Sequence, residues 1–100
     1  MNVTLSTPYG NFEWDSEKDA ANRRKHGLGF ALAAEAFADE YGVYIQDSEH
    51  SLGEERQHLL GQVNGTLLLL VVFTERSATR IISARRATKH ERKYYVEQHR

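Results

Sequence analysis

Arginine and histidine are the residues of this chain whose chemistry suggests a site. Four arginines fall on or beside consecutive segments that read as strands: Arg56, Arg76, Arg80 and Arg85. A guanidinium binds phosphate through two parallel hydrogen bonds and stabilises the charge that develops on phosphorus. His26 adds a candidate acid or base, and Glu55 or a lysine is the alternative. A single arginine at a strand end is often only an edge residue that snorkels to water, but four together predict a site for a phosphate ligand.

Other chemistries are poorly represented. The chain has no cysteine, which excludes disulfides and thiolate metal sites. None of its five histidines forms a helical i,i+4 pair with a nearby glutamate, so we expect no metal. The stretch Gly27-Leu28-Gly29 is too short for a phosphate loop, and no serine lies on a marked strand-to-helix elbow. We therefore expect a site without metal or cofactor.

Charge is unevenly distributed between the two halves. Residues 1–50 carry four basic and nine acidic side chains, whereas residues 51–100 carry nine and five. The last 25 residues hold eight basic side chains against Glu91 and Glu97. This excess favours attraction to a polyanion such as a nucleic acid. A solvated helix face is the plain alternative.

Length and patterning predict one domain over residues 1–100. The N-terminus lacks the basic start and apolar stretch of a signal peptide. The longest apolar run, residues 67–73, is far shorter than the roughly 20 residues of a membrane helix, so it reads as a buried strand. With no cysteine, these features favour a cytoplasmic protein without a membrane segment.

Local signals predict the elements that position the arginines. Asp15 or Ser16 caps a helix that ends at His26, where Gly27 takes the left-handed position. Thr88 and Glu91 form a capping box for a last helix. The remaining segments are a strand at 12–14, a helix over 30–38, and strands over 43–47, 55–63, 66–75 and 80–85.

The order of these segments predicts an α+β fold with an antiparallel meander, two N-terminal helices and one C-terminal helix. Asn64-Gly65 predicts a two-residue hairpin turn, and residues 67–73 should form the central strand. Strict alternation would place Ile81, Ser83 and Arg85 on one face of their strand. The predicted consequence is a common groove to which Arg76 and Arg85 point, with His26 and Arg56 near its rim.

The chain resembles the BrnT-type ribonuclease toxins of bacterial type II toxin–antitoxin systems over about residues 12–96. Two blocks carry the resemblance: an opening with Trp14-Asp15, Lys18, Asn22 and Lys25-His26-Gly27, and a close with Arg80-Ile81-Ile82-Ser83-Ala84-Arg85, Glu91-Arg92 and Tyr95. Glu55-Arg56 and Glu75-Arg76 lie between them. In this pattern four residues read as structural: Trp14, Asn22, Gly27 and Ile82.

The resemblance implies a RelE-like fold and RNA cleavage that inhibits translation. Candidate catalytic residues are Lys25, His26, Arg56, Arg76 and Arg85. Candidate RNA-binding residues are Arg80, Arg86, Lys89, Arg92 and Lys93. A non-catalytic RNA-binding module, or a degenerate toxin acting in a repressor complex, is the alternative.

The resemblance also implies a partner. This would be a small DNA-binding antitoxin, BrnA-like and of the ribbon-helix-helix type, that represses its own operon. We expect a 2:2 heterotetramer that contacts operator DNA only through the antitoxin. Residues 1–11 lie outside the resemblance, and we expect a flexible extension there. Residues 39–53 match no motif.

Overall fold

A computed structural model describes residues 1–47 and 55–99 of the chain. Its elements run in the order β1 (Asn2–Thr7), β2 (Gly10–Asp15), α1 (Ser16–His26), α2 (Phe30–Ala34), a 3₁₀ turn (Glu35–Ala38), β3 (Val43–Asp47), β4 (Arg56–Val63), β5 (Leu67–Glu75), β6 (Thr79–Arg86) and α3 (Lys89–Glu97). Residues 48–53, part of the stretch that matches no motif, lie outside the described residues.

The strands form one six-stranded sheet in the order β1-β2-β6-β5-β4-β3. β5 lies between β4 and β6, which confirms the prediction that residues 67–73 form a central strand. The purely antiparallel meander is wrong, because β2 pairs with β6 in parallel at Phe12↔Thr79 and Glu13↔Arg80. The chain returns to the edge of β2 only after building the other strands, so local turn signals could not reveal this contact.

The N-terminal segment and the second helix also differ from the prediction. The chain opens with a β-hairpin, and the flexible extension expected over residues 1–11 is instead β1, paired with β2 from Asn2↔Asp15 to Thr7↔Gly10. The helix expected over 30–38 is split. Its second half tightens to a 3₁₀ turn that ends where the Asp39 N–H donates to the Ala36 carbonyl at 3.2 Å.

The helix caps and the hairpin turn agree more closely with the predictions from the sequence. Asp15 accepts from the Lys18 N–H and starts α1, while Gly27 ends it with φ 72°. Asn64 and Gly65 both take positive φ, but pairing resumes only at Val63↔Leu67, so this connection is one residue longer than predicted. The predicted capping box at Thr88 is confirmed.

Two apolar clusters cover the two faces of the sheet. On the α1/α2 face, Phe30 and the alanines of α2 pack on Leu59, Val71 and Phe73. On the α3 face, Tyr95 packs with Leu60, Leu68 and Leu70. β5 is therefore buried on both sides, as its continuous Leu/Val run predicts. Within the described residues, no helix is long and apolar enough to cross a membrane.

Gly61 marks the closest approach between the α1/α2 layer and the sheet. A Cβ at this position would lie 2.6 Å from the Ala36 carbonyl oxygen and 2.9 Å from the Ala36 Cβ. Both atoms belong to Ala36, which is fully buried in the 3₁₀ turn. Only glycine therefore permits this distance between the 3₁₀ turn and β4.

We expect Gly61→Ala to lower the free energy of unfolding by about 1–3 kcal/mol, the usual range for overpacking. Urea denaturation followed by circular dichroism measures this. Gly29→Ala is the matched control, because its Cβ would meet the flexible Arg23 side chain at 3.3 Å. Equal stability of the two variants would contradict the close-approach argument.

Candidate functional site

A groove of about 260 Å³ lies between α1 and the free edge of β6. Its lining comprises Lys18, Ala21, Asn22, Lys25, His26, Ile82 and Ser83. Two of the predicted catalytic residues, Lys25 and His26, are therefore neighbours of β6. The groove offers a lysine ammonium and an imidazole above a strand edge, groups that can bind a phosphate and exchange protons.

Asn22 fixes the position of α1 against β6. Its side-chain Nδ2 donates to the Ala84 carbonyl at 2.8 Å and to the Leu28 carbonyl at 2.9 Å, and its Oδ1 accepts from the Ala84 N–H at 3.1 Å. β2 pairs with β6 only as far as Arg80. The buried amide of Asn22 therefore satisfies the edge of β6 where no strand does, and the structural role read from the sequence agrees with this.

The C-terminus of α1 presents Lys25 and His26 to the groove, whereas Lys18 lies in the first turn of this helix. Gly27 donates its N–H to the Arg23 carbonyl at 2.9 Å, which closes the helix. The Arg86 guanidinium donates to the His26 carbonyl at 3.1 Å, so β6 also anchors this helix end. Cations here face the negative end of the helix dipole. Arg86 thus contributes to holding His26 in place.

Arg85 lies on the opposite face of the sheet and is held by α3. Its Nη1 and Nη2 donate to the two carboxylate oxygens of Glu91 at 2.8 and 2.9 Å. The same Glu91 accepts from the Thr88 N–H in the capping box. The hydrogen bond from Arg85 overcomes burial and lowers the pKa of Glu91 to about 2. Arg85 remains 37% exposed in this pair.

Arg80 and Arg56 belong to the same face as Arg85. Arg80 donates to the Glu13 carboxylate and to Asn2, each at 2.9 Å. Arg80 pairs with Thr74 and Arg85 pairs with Leu70, so the two arginines lie at different heights along this face of β6. By the register of β4 with β5, Arg56 lies opposite Thr74. The α3 face of the sheet is therefore rich in arginine, but Arg80 and Arg85 are paired with carboxylates.

The other predicted residues lie elsewhere. Arg76 is in the connection between β5 and β6, where its N–H donates to the Ala78 carbonyl at 3.0 Å. Lys89, Arg92 and Lys93 are exposed on α3. The groove is lined by Lys25 and His26 and by none of the predicted arginines, at least among the described residues. The structure therefore does not bring the predicted arginines and His26 into a common groove.

A β-bulge in β6 explains the difference. Val72 pairs with Ser83 but Phe73 pairs with Ile81, so Ile82 is an extra residue. Ile81 and Ala84 therefore both enter the core, instead of Ile81 and Ser83 sharing a face. Beyond the bulge, Ser83 and Arg85 alternate on the α3 face.

Ser83 connects the two groups of basic residues. It lines the groove with Lys25 and His26, and it lies two positions from Arg85 on the same face of β6. Sequence reasoning did not select Ser83. Its signals in the sequence were the predicted alternation with Arg85 and its place in the closing block of the resemblance. Within residues 1–47 and 55–99, no group of three or more histidine and acidic side chains could hold a metal ion.

Comparison with known proteins identifies the family. The family model described as "Ribonuclease toxin, BrnT, of type II toxin-antitoxin system" matches residues 14–91. This chain belongs to the BrnT family. BrnT proteins are named as ribonuclease toxins, and a type II system pairs such a toxin with an antitoxin. The resemblance read from the sequence is thereby confirmed, while β1 lies outside the matched region.

A solved BrnT structure supports the assignment. The crystal structure of the Brucella abortus ribonuclease toxin, BrnT, matches with a TM-score of 0.60 and 29% sequence identity. The match covers 76% of this chain and 94% of that chain. A search of curated proteins finds no match.

The Arg85–Glu91 pair predicts a pH dependence of stability. Folding lowers the pKa of Glu91, so the ionised carboxylate stabilises the folded protein. This contribution is complete above the unfolded-state pKa of about 4.5 and is lost as pH falls towards 2. We expect Glu91→Gln to be less stable than the wild type by about 1–2 kcal/mol at pH 7, after allowing for solvent screening.

Urea denaturation of both proteins from pH 2.5 to pH 7 measures this difference. The gap should narrow below pH 4.5, because the unfolded wild type then takes up a proton on Glu91 that the folded state, with its pKa of about 2, does not, and the variant has no such group. A gap that stays constant across this range would contradict an ionised pair.

Proposed function

We propose that this protein is an endoribonuclease that needs no metal ion and inhibits translation by cleaving RNA. The observation that carries the proposal is the BrnT match over residues 14–91, which contains the Lys25–His26 groove. In the proposed reaction the RNA 2′-oxygen attacks the adjacent phosphorus. The P–O bond to the 5′-oxygen of the next nucleotide breaks, leaving a 2′,3′-cyclic phosphate and a 5′-hydroxyl. The RNA supplies the nucleophile, so the protein has to move protons and stabilise charge.

The catalytic set in this proposal is Lys25, His26, Arg56, Arg76 and Arg85. Support for Lys25 and His26 is their shared groove beside Ser83. Arg85 is supported by two observations: its side chain is partly exposed, and it lies two residues from Ser83, which lines the groove. Arg56 and Arg76 are proposed from the family resemblance.

The proposed RNA-binding residues are Arg80, Arg86, Lys89, Arg92 and Lys93. Those on α3 are exposed, as a phosphate-contacting residue must be. Arg86 and Arg80 are already bound, to the His26 carbonyl and to Glu13 respectively. Their proposed contribution is therefore weaker than that of Arg92 and Lys93.

The proposal includes a cytoplasmic location and an antitoxin. The partner would be a BrnA-like, ribbon-helix-helix protein that neutralises this chain, in a 2:2 heterotetramer that reaches operator DNA only through the antitoxin. The family assignment supports the existence of an antitoxin. Its type and stoichiometry are inferred from the resemblance. Kinship with RelE-like enzymes is proposed on the same ground.

One observation favours the alternative, a non-catalytic module within a repressor complex. Arg80 and Arg85 are both held by carboxylates, which lowers their capacity to bind phosphate. Expression without a partner separates the two functions. A ribonuclease toxin halts growth and degrades RNA, whereas a degenerate toxin does neither.

Cleavage of a defined RNA by purified protein in EDTA tests the catalytic set. We expect Lys25→Ala and His26→Ala to lose at least about tenfold in rate, since general acid–base groups contribute ~100-fold or more. Arg24→Ala is the matched control, because Arg24 is exposed on α1 and does not line the groove. Full activity in both groove variants would remove them from the site.

Arg85→Ala should lose about 100-fold in rate, because it removes charge stabilisation worth ~3 kcal/mol. Arg85→Lys should restore little, since the two-pronged donor is lost. Arg85→Ala also removes the pair with Glu91, and Arg85→Lys loses its two-pronged geometry, so Glu91→Gln controls for lost stability. If Glu91→Gln and Arg85→Ala lose the same activity, Arg85 acts only through α3.

Arg92→Ala should mainly weaken RNA binding. Removing one phosphate contact lowers the slope of log affinity against log salt by about one unit and leaves the cleavage step unchanged. Filter binding at several salt concentrations measures the slope. An unchanged slope would exclude Arg92 from the RNA contact.

A further inference from the structure

β1 forms one edge of the sheet and lies outside the region that the BrnT family model matches. It pairs with β2 on one side, in an unbroken register of six residue pairs. On its other side, alternate residues present their backbone N–H and C=O groups away from the sheet. The strand therefore carries a row of groups that another strand can bind.

This edge lacks the devices by which proteins usually block such pairing. Asn2–Thr7 contains no charged side chain and no proline, and its pairing with β2 has no bulge. Three of its residues, Val3, Thr4 and Leu5, are strand formers or apolar. Val3 and Leu5 pack against the core of the α1/α2 face yet remain partly exposed.

The sequence of β1 is complementary to itself. In an antiparallel pair centred on Thr4, Val3 of one copy meets Leu5 of the other, and Thr4 meets Thr4 of the other copy. The apolar pair would extend the core of the α1/α2 face, and threonine pairs are favourable across strands. We propose that β1 pairs with β1 of a second copy of this chain, joining two sheets into one continuous sheet around a twofold axis.

Charge does not oppose this arrangement. Thr4 lies opposite Glu13 in the β1–β2 register, so this carboxylate is the charged group beside the centre of the proposed contact. Glu13 is neutralised by Arg80 at 2.9 Å. Two strands with uncharged side chains therefore meet without like-charge repulsion, which makes a second copy the occupant that best fits this edge.

A charge-swap experiment tests the central contact. Sedimentation equilibrium of the full chain should show a concentration-dependent dimer for the wild type. Thr4→Lys and Thr4→Glu should each weaken it by about threefold to tenfold, because each places two like charges opposite one another. An equimolar mixture of the two variants should restore dimerisation, because the ammonium introduced in one copy then faces the carboxylate introduced in the other.

Thr66→Lys is the matched control, since Thr66 is exposed in the turn between β4 and β5. It should dimerise like the wild type. Circular dichroism checks that every variant is folded. A wild type that stays monomeric up to millimolar concentration overturns the proposal, and so does a mixture that associates no better than either variant alone. Both outcomes are independent of RNA cleavage.

Discussion

The side-chain amide of Asn22 is the contact on which the candidate site depends. β6 has a partner strand on both sides only near its start, and beyond Arg80 its second edge would be unsatisfied. Asn22 supplies a donor and an acceptor to Ala84 and a further donor to Leu28. A buried amide with three such bonds tolerates little movement, because each lost bond leaves a buried polar group unpaired. Asn22, with the Arg86 bond to the His26 carbonyl, therefore sets the distance of Lys25 and His26 from β6.

The extra residue in β6 sets the distribution of positive charge between the two faces. Without the bulge at Ile82, Arg85 and Ile81 would share a face, and the guanidinium would meet the core. With it, Arg86 faces α1 and binds the His26 carbonyl, while Arg85 faces α3 and binds Glu91. Consecutive arginines thus anchor two different helices, and the groove lies beside one of them, between α1 and β6.

Much of the fold could be predicted because its signals are local. Gly27, Thr88 and the Leu/Val run of β5 each act within a few residues, and each has the predicted role. The parallel contact between β2 and β6 and the bulge at Ile82 could not be predicted, because both depend on how distant segments pack. The candidate site depends most on such contacts between distant segments, so it was predicted least well. The residue types were identifiable, but one inserted residue decides which of them face each other.

The docking of α3 has a consequence for motion. Among the described residues of this helix, Tyr95 is the only buried one, and its hydroxyl donates to Asp39 at 2.6 Å. Burial and this bond raise the pKa of Tyr95, while hydrogen bonds from Tyr95, Gln62 and Tyr41 outweigh burial and lower the pKa of Asp39. The sheet, in contrast, is buried along β5 on both faces. We therefore expect helix α3 to open as a separate cooperative unit at a lower free energy than the sheet, with its amide hydrogens exchanging with solvent first.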